Sequence, residues 1–551
     1  MAFSSGAMKR GRWLGAAVLA LGLVRAPDAA AFCGFYVGGA GAKLYNDATV
    51  VVLMREGTRT VLSMQNAYKG PPERFAMVVP VPVVLQEQNV KTLPRTVFEK
   101  IDQLAAPRLV EYWEQDPCAP PVPQSVPMPA AAAPAKAAPR SAGRAEDYGV
   151  KVEAQFTVGE YQIVILSAKD SGGLEAWLHK EQYAIPDGAE PYLRPYVTGG
   201  SKFFVARVDV TKVKMENGVA LLSPLRFHYD ADAFSLPVRL GLINSSGTQD
   251  LLVHILARGK RYEVANYPNV TIPTNLDVAE AARDAFPTFY TALFDRTVAK
   301  TPKAVVTEYA WDAGSCDPCP GPVLDPNDLM TLGGDVIDRS APPAPRFFGG
   351  GGFTLTRLHA RYSKEALGED LVFREAKAIV GGRENRDASG QLETGAKPAE
   401  YGGSNFQARY AVRHPWTGPI TCKDPRRGIW GGPPDGAMPK PKPAAKIGLA
   451  PRGDADLAKF LKTSLADVAL PNGATVETSA SAAPTIAPAS STPDVPTPAD
   501  AGPSVVDASA SQPGDTKKGC AGCAATTREA PRGLGALVAA LALAAVRRRR
   551  R

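Results

Sequence analysis

The chain has 551 residues, 45% of them hydrophobic and 21% charged, which is the composition of a globular protein with room for roughly two or three domains. Its formal net charge of +8 is concentrated at the ends: residues 1–31 carry +3 and residues 520–551 carry +6, which leaves −1 for everything between them. A nearly neutral body lacks the basic footprint of a nucleic-acid-binding protein, so the composition argues against that class.

Residues 1–31 are predicted to be a cleaved secretory signal peptide. Basic residues precede an apolar run from Trp13 to Val24, and three alanines, ending at Ala31, precede Phe32. This order is typical of a secretory signal, and we place the cleavage between Ala31 and Phe32. A retained membrane anchor is the weaker alternative, because a twelve-residue helix reaches about 18 Å and the hydrocarbon core is about 30 Å thick.

The first packed segment, residues 32–118, contains three predicted strands and a helix. The strands are Thr49–Met54, Arg59–Gln65 and Arg74–Val81. Pro94 suits the first turn of a helix that carries Val97, Phe98, Ile101 and Leu104, and the same helix is extended beyond Pro107 over Leu109, Val110 and Trp113. Residues 119–146 follow as a Pro/Ala-rich linker with few large apolar side chains.

The main segment, residues 147–430, alternates predicted strands with two helices. The helices are expected around Leu174–Tyr183 and over Val278–Phe294, the second interrupted at Pro287. The predicted strands are Val150–Thr157, Tyr161–Ser167, Phe203–Val210, Val219–Tyr229, Leu251–Ala257, Val305–Ala310, Phe353–Tyr362, Asp370–Ala376 and Phe406–Val412. The fold class is therefore α+β, with mostly antiparallel sheets, a few helices and two packed segments.

Two similar stretches of sequence, which we call the internal echo, suggest a duplication within the main segment. The stretch Leu225–Tyr229, followed by Leu236–Leu240, resembles Thr356–Tyr362 followed by Glu369–Phe373. Each copy has a histidine-bearing strand, a turn and a second strand. Chance similarity between two short copies is the alternative.

Residues 431–519 are predicted to be a disordered stalk. They are rich in Gly, Pro and Lys at first and then in Ala, Ser, Thr, Pro and Asp, a composition that cannot bury enough apolar surface to offset the entropy of ordering.

Residues 520–551 are predicted to be a sorting tail. Cys520 and Cys523 precede an apolar run from Leu534 to Val546 and five arginines, Arg547–Arg551. This order resembles the MYXO-CTERM sorting tail of myxobacterial surface proteins. The resemblance implies that a short transmembrane helix holds the tail in the membrane until a dedicated protease cuts it. Cys520 or Cys523 is then the modified residue, and export and sorting machinery are the partners. A plain, uncut tail anchor is the alternative.

Five cysteines remain once the tail pair is set aside: Cys33, Cys118, Cys316, Cys319 and Cys422. In an oxidising envelope two disulfides are expected, and the odd number leaves one thiol. One arrangement pairs Cys33 with Cys118 and Cys422 with a member of the Cys316–Cys319 motif. The sequence does not choose among the alternatives.

The motif at Cys316 and Cys319 is the sharpest chemical candidate. Such a pair can be a redox dithiol, a structural disulfide or half of a zinc site. Pro318, Pro320 and Pro322 disfavour a helix directly behind the motif, so a structural disulfide is favoured over the other two readings.

Several stretches, in order along the chain, resemble a secreted bacterial family catalogued as domain of unknown function 2330. The stretches that carry the resemblance are Phe32–Phe35, Lys43–Asn46, Phe75–Pro82, Ala106–Tyr112, Asp116–Cys118, Tyr309–Trp311, Cys316–Cys319, Thr356–His359, Asp370–Phe373, Asn405–Tyr410 and Arg413–Trp416. They span roughly residues 32–430. The resemblance implies an extracytoplasmic protein and supplies no catalytic residue.

The remaining motifs do not indicate an enzyme. The five histidines, His179, His228, His254, His359 and His414, never fall at metal-ligand spacing, and no phosphate-binding or nucleophile-elbow motif occurs. His228 and His359 are interpreted as satisfied strand residues. We predict neither a catalytic residue, a metal site nor a cofactor.

The prediction is therefore a non-catalytic protein of the cell envelope, outer membrane or cell surface, with a structural, adhesive or binding role. An extracytoplasmic thiol-disulfide enzyme using Cys316 and Cys319 is the alternative. A ligand-binding module between the two packed segments is a third hypothesis.

Overall fold

The computed structural model describes residues 35–37, 49–65, 68–69, 76–120, 149–181, 188–216, 219–242, 249–337, 352–362, 368–383, 392–434, 436, 441–443, 456–462 and 468. The predicted signal peptide, the predicted linker after residue 120 and the predicted sorting tail lie outside these residues.

Strands dominate the described part of the chain. In order they are β1 Phe35–Val37, β2 Thr49–Glu56, β3 Arg59–Gln65, β4 Tyr68–Lys69, β5 Ala76–Val81, β6 Val90–Thr92, β7 Arg108–Glu114, β8 Val150–Val158, β9 Tyr161–Ala168, β10 Lys202–Val208, β11 Lys214–Glu216, β12 Val219–Leu221, β13 Leu225–Asp230 and β14 Ser235–Leu236. They continue with β15 Gln249–Arg258, β16 Arg261–Val264, β17 Asn269–Thr271, β18 Leu276–Asp277, β19 Val305–Asp312, β20 Phe353–Tyr362, β21 Leu371–Ala376, β22 Ile379–Gly381, β23 Lys397–Pro398, β24 Asn405–Gln407, β25 Arg409–His414, β26 Trp430–Gly431 and β27 Lys442–Pro443.

The α-helices are few. They are α1 Arg95–Ala105, α2 Ser171–Lys180, α3 Glu190–Thr198, α4 Ala281–Asp284, α5 Phe286–Lys300 and α6 Pro326–Leu329. The predicted interruption of the helix near Pro287 is present: α4 ends at Asp284 and α5 begins at Phe286. Pro287 lies in the first turn of α5, where a backbone N–H would have no partner within the helix. None of the helices in the described ranges is long and apolar enough to span a bilayer.

A large central sheet organises the molecule. Its strand order is β23-β22-β24-β19-β20-β15-β2-β3-β13-β6, with β17 added beside β19. Most neighbours are antiparallel, whereas β15 and β2 run parallel. In β2, Val51 and Leu53 face one core cluster while Val52 and Met54 face another, so the strand is buried on both sides.

The two predicted segments are not separate packing units. β2 from the first segment pairs with β15, β5 pairs with β10, and β7 pairs with β25. Sequence patterns report burial but not the partner strand, and here the partner often lies more than a hundred residues away. The prediction of two packed segments is wrong on this point, while the mostly antiparallel, strand-rich architecture with few helices is confirmed.

Two local predictions also needed correction. The helix predicted to extend past Pro107 ends at Ala105, and Leu109, Val110 and Trp113 lie in strand β7. The single predicted strand Val219–Tyr229 is two strands, β12 and β13, which belong to different sheets. The first error arises because a short apolar run fits a helix and a strand equally well until tertiary pairing decides. The second arises because residues 222–224, which separate β12 from β13, are too short a break for the apolar pattern to show where one strand ends and the next begins.

The ordered body extends beyond residue 430. β27 pairs with β7, Val278 forms a bridge with Leu461, and Leu457 and Val468 are buried in the cluster around α5. The predicted start of the disordered stalk at residue 431 is therefore wrong. The segment is mostly polar, but its few apolar residues, such as Leu457 and Val468, are buried in the core.

The second strands of the internal echo pair with each other. Ser235 and Leu236 of β14 lie opposite Val372 and Leu371 of β21. Duplication of the motif stays a prediction, because this pairing requires no common origin.

Candidate functional sites

A β-bulge places Glu308 in the middle of the central sheet. The register between β19 and β20 shifts between Thr307 and Tyr309, so Glu308 has no directly opposite residue. Bulges of this kind re-aim a side chain, and here the carboxylate is fully buried. It accepts hydrogen bonds from the Tyr290 hydroxyl at 2.6 Å and from Nε of Arg357 at 2.6 Å.

His359 lies between two carboxylates. Its Nδ1 is 2.7 Å from Oε1 of Glu308, its Nε2 is 3.4 Å from Oδ1 of Asp250, and its ring stacks on Phe294. Burial alone would lower the pKa of His359, but the two carboxylates outweigh burial and raise that pKa to about 9. The same contacts, together with Arg357, hold the pKa of Glu308 at about 2 despite its burial.

Arg357 connects this pair to helix α1. Its Nη1 donates to the backbone carbonyl of Asp102 at 3.1 Å and also contacts the Asp102 carboxylate. His254 lies next to Arg357. Burial and the charge of Arg357 lower the pKa of His254 to about 3, so His254 is neutral. Asp250, at the other end of the cluster, accepts from Nε of Arg361 at 2.6 Å.

These residues form what we call the Glu308 network: Asp102, Asp250, Tyr290, Glu308, Arg357, His359 and Arg361. Clusters of shifted pKa values often mark active sites. Here the carboxylates and cations are paired with one another, and Glu308, Arg357 and His359 are at most 1% exposed. The geometry is that of a buried ion-pair network that fixes α1 and α5 on strands β15, β19 and β20.

The sequence patterns do not indicate most of this network. His359 is a paired strand residue, as we interpreted it, but its partners Glu308, Asp250 and Arg357 were not singled out. A usable signal existed in β19, because Glu308 is a lone carboxylate inside the otherwise uncharged run of residues 305–311. Charged residues are seldom fully buried without a partner, so such a position predicts an ion pair.

Cys316 and Cys319 form a disulfide in the loop after β19. Cys319 is exposed and Cys316 is half-buried. Two buried side chains hold the backbone between Cys316 and Cys319. Nη1 of Arg108 donates to the carbonyl of Pro318 at 2.9 Å, and Nε2 of Gln407 donates to the carbonyl of Asp317 at 2.6 Å. The arrangement fixes the loop in one position.

Cys118 and Cys422 form the second disulfide, with 5.5 Å between their Cα atoms. The alternative that paired Cys33 with Cys118 and Cys422 with the Cys316–Cys319 motif is therefore wrong. The parallel pairing of β7 and β25 brings the segments that follow both strands to the same end of a sheet, which places the two cysteines together. Cys33, Cys520, Cys523, Ala31 and Phe32 lie outside the described residues.

No group of three or more His, Cys, Asp or Glu residues in the described ranges has metal-binding geometry.

Comparison with known proteins gives one match. No curated protein and no solved structure matches the chain. A family model described as an uncharacterized protein conserved in bacteria (DUF2330) matches residues 27–374, well over half of the chain. The chain therefore belongs to the DUF2330 family of bacterial proteins.

Proposed function

We propose that this protein is an exported, non-catalytic component of the cell envelope, displayed at the outer surface with a structural, adhesive or binding role. The observation that carries the proposal is the disulfide between Cys118 and Cys422, which joins residues 304 apart in sequence. Disulfides of this kind persist in oxidising compartments and are rare in the cytosol.

The Glu308 network supports the non-catalytic part of the proposal. Its charged groups neutralise one another inside the core, and Glu308, Arg357 and His359 are withdrawn from solvent. Such a network fits a rigid scaffold better than a catalytic centre.

Fractionation of the native bacterium tests localisation. We expect the mature chain in the outer-membrane fraction, starting near Phe32, with both body disulfides intact and a mass that reports processing at Cys520 or Cys523. Recovery of the full-length, reduced chain from the cytosol would falsify the proposal.

A thiol-disulfide enzyme is the second candidate, favoured by the surface position of the Cys316–Cys319 disulfide. Arg383, whose Nη2 lies 2.6 Å from Oδ2 of Asp317, adds a cation beside the loop, and cations stabilise thiolates. Alkylation after titration with dithiothreitol distinguishes the candidates. A pair that is reduced at mild potentials and reoxidised by a substrate protein supports the enzyme, whereas a pair that resists reduction until unfolding supports the scaffold.

A further inference from the structure

The loop formed by residues 415–430 is held rigidly at the end of strands β7 and β25. Buried Glu114 binds both ends of it: Oε2 accepts from the backbone N–H of Trp416 at 3.0 Å, and Oε1 accepts from that of Gly428 at 2.8 Å. The two hydrogen bonds lower the pKa of Glu114, which keeps the clamp ionised. The disulfide from Cys118 to Cys422 ties the middle of the loop.

The loop presents apolar side chains to solvent in spite of this rigidity. Ile420 is 44% exposed and Ile429 is 43% exposed, two of six exposed large hydrophobic residues in the described ranges. Trp416 is half-buried, and its ring is folded over Gly418, where an added Cβ would lie 2.5 Å from the ring. The ordered loop therefore keeps two isoleucine side chains in water.

The charge of the loop indicates what it contacts. Lys423, Arg426 and Arg427 stand against one acid, Asp424, and all four residues are exposed. Arg427 contacts the Glu114 carboxylate, whereas Arg426 donates to a neutral group, the backbone carbonyl of Ala119. Isoleucine, tryptophan and flanking cations are the combination that binds the interface of anionic membranes.

A second copy of the chain fits the surface of the 415–430 loop less well than an anionic membrane does. In a two-fold symmetric contact centred on this loop, a patch with three cations and one acid would meet the same patch, and like charges across an interface are unfavourable.

We propose that the 415–430 loop docks on an anionic lipid surface. Ile420, Ile429 and Trp416 enter the headgroup region, while Lys423 and Arg426 contact lipid phosphates. The inference goes beyond the proposed function, since it rests on the loop and holds or fails with purified protein whatever compartment the chain occupies.

Vesicle flotation of the full chain tests the proposal. The vesicles are phosphatidylcholine alone or phosphatidylcholine with phosphatidylglycerol, and the variants are I420S/I429S and K423E. We expect each variant to lower partitioning onto the anionic vesicles at least about fivefold, because I420S/I429S removes two apolar side chains and K423E replaces a positive charge with a negative one. K423E should leave partitioning onto neutral vesicles unchanged.

Two controls keep the test specific to the loop. V372S/Y401S removes exposed apolar side chains elsewhere, from residues 38% and 90% exposed, and should partition like the unchanged protein. The C-terminal apolar run is present in every variant, so its contribution is constant. Quenching of tryptophan fluorescence by brominated lipid, reduced in W416F, reports contact by the loop itself.

Three results would overturn the proposal. The first is partitioning of both loop variants equal to that of V372S/Y401S. The second is unchanged quenching in W416F. The third is a dimer, detected by light scattering, that I420S/I429S dissociates while vesicle binding persists. Circular dichroism melting checks that the double variant folds, and the surface variant K423E decides the question if it does not.

Discussion

Oε1 of Glu308 lies 2.7 Å from Nδ1 of His359, and both side chains are at most 1% exposed. The contact joins neighbouring strands β19 and β20 at the bulge in the middle of the central sheet. A charge in such a place is costly unless an opposite charge stays beside it. The interior of this protein therefore depends on keeping both partners, and the first two predictions follow from that.

Replacement of Glu308 by glutamine should be strongly destabilising. The amide preserves the shape but leaves Arg357 and His359 without their shared counter-charge, and removal of one partner from a buried pair costs about 3–5 kcal/mol. Urea unfolding at pH 7 measures the free energy of unfolding. E375Q is the matched control, because Lys260 and Glu375 are an ion pair with side chains 54% and 55% exposed and should contribute less than about 1 kcal/mol. Equal losses in the two variants would contradict the proposed role of the network.

Stability should fall at alkaline pH because of His359. Its pKa in the folded state is about 9, above the ordinary value of 6.5, so the folded protein holds this proton more tightly than the unfolded chain does. The contribution is fully present below pH 6.5 and is lost as the pH rises through 9. A pKa shift of this size corresponds to about 3 kcal/mol in the free energy of unfolding.

Urea titrations between pH 6 and pH 10 measure this loss. H359Q should show lower stability at pH 6 and a flatter dependence up to pH 9 than the unchanged protein. A parallel alkaline decline in both proteins would assign the effect to other groups.

Glu308 and His254 should contribute to the loss of stability at acid pH. The pKa of Glu308 is lowered to about 2, so its contribution is lost as the pH falls from 4.5 through 2. His254 is buried in its neutral form with a pKa of about 3, and the unfolded chain takes up a proton there below pH 6.5. Both effects reduce stability in acid, and H254N should remove the part that begins near pH 6.5 in urea titrations. Loss of stability with the same onset in H254N would contradict this assignment.

The two disulfides should differ in their contributions to stability. Cys118 and Cys422 are 304 residues apart, whereas Cys316 and Cys319 are 3 apart. In the chain-entropy model the long loop contributes about 6 kcal/mol and the short one about 2 kcal/mol. Thermal melts of C118S/C422S and C316S/C319S measure the difference. A smaller loss in C118S/C422S would show that closure of the long loop is not what stabilises the body.

How much the sequence predicted depended on whether the information was local. The bounds of β3, Arg59–Gln65, and of β20, Phe353–Tyr362, match the prediction, because turns and apolar patterning delimit them within the strand itself. β7 was predicted as helix since Leu109, Val110 and Trp113 fit a helical stripe. Its pairing with β25, about 300 residues away, overrides that local pattern.

The candidate sites divide in the same way. A disulfide is favoured at Cys316 and Cys319 because Pro318, Pro320 and Pro322 disfavour a helix directly behind the motif, and this information is local. The partner of Cys118 instead depends on where β7 and β25 meet. Glu114, which clamps the 415–430 loop, lies at the end of the misassigned strand. Its role could not be found before that strand was known.

The last prediction concerns Gly428, whose backbone N–H binds Glu114 at 2.8 Å. Its φ of +76° lies in the left-handed region, and an added Cβ would meet nothing within 4 Å, so alanine there changes only backbone strain. G428A should destabilise the protein by about 1 kcal/mol and speed hydrogen exchange of the Trp416 and Gly428 amides. Gly403 is the matched control: its Cβ would also be in open space, but it has no positive φ. G403A should therefore leave stability unchanged or raise it by less than about 1 kcal/mol. Exchange at Trp416 that is equally slow in both variants would mean that the Glu114 clamp does not hold the 415–430 loop in place.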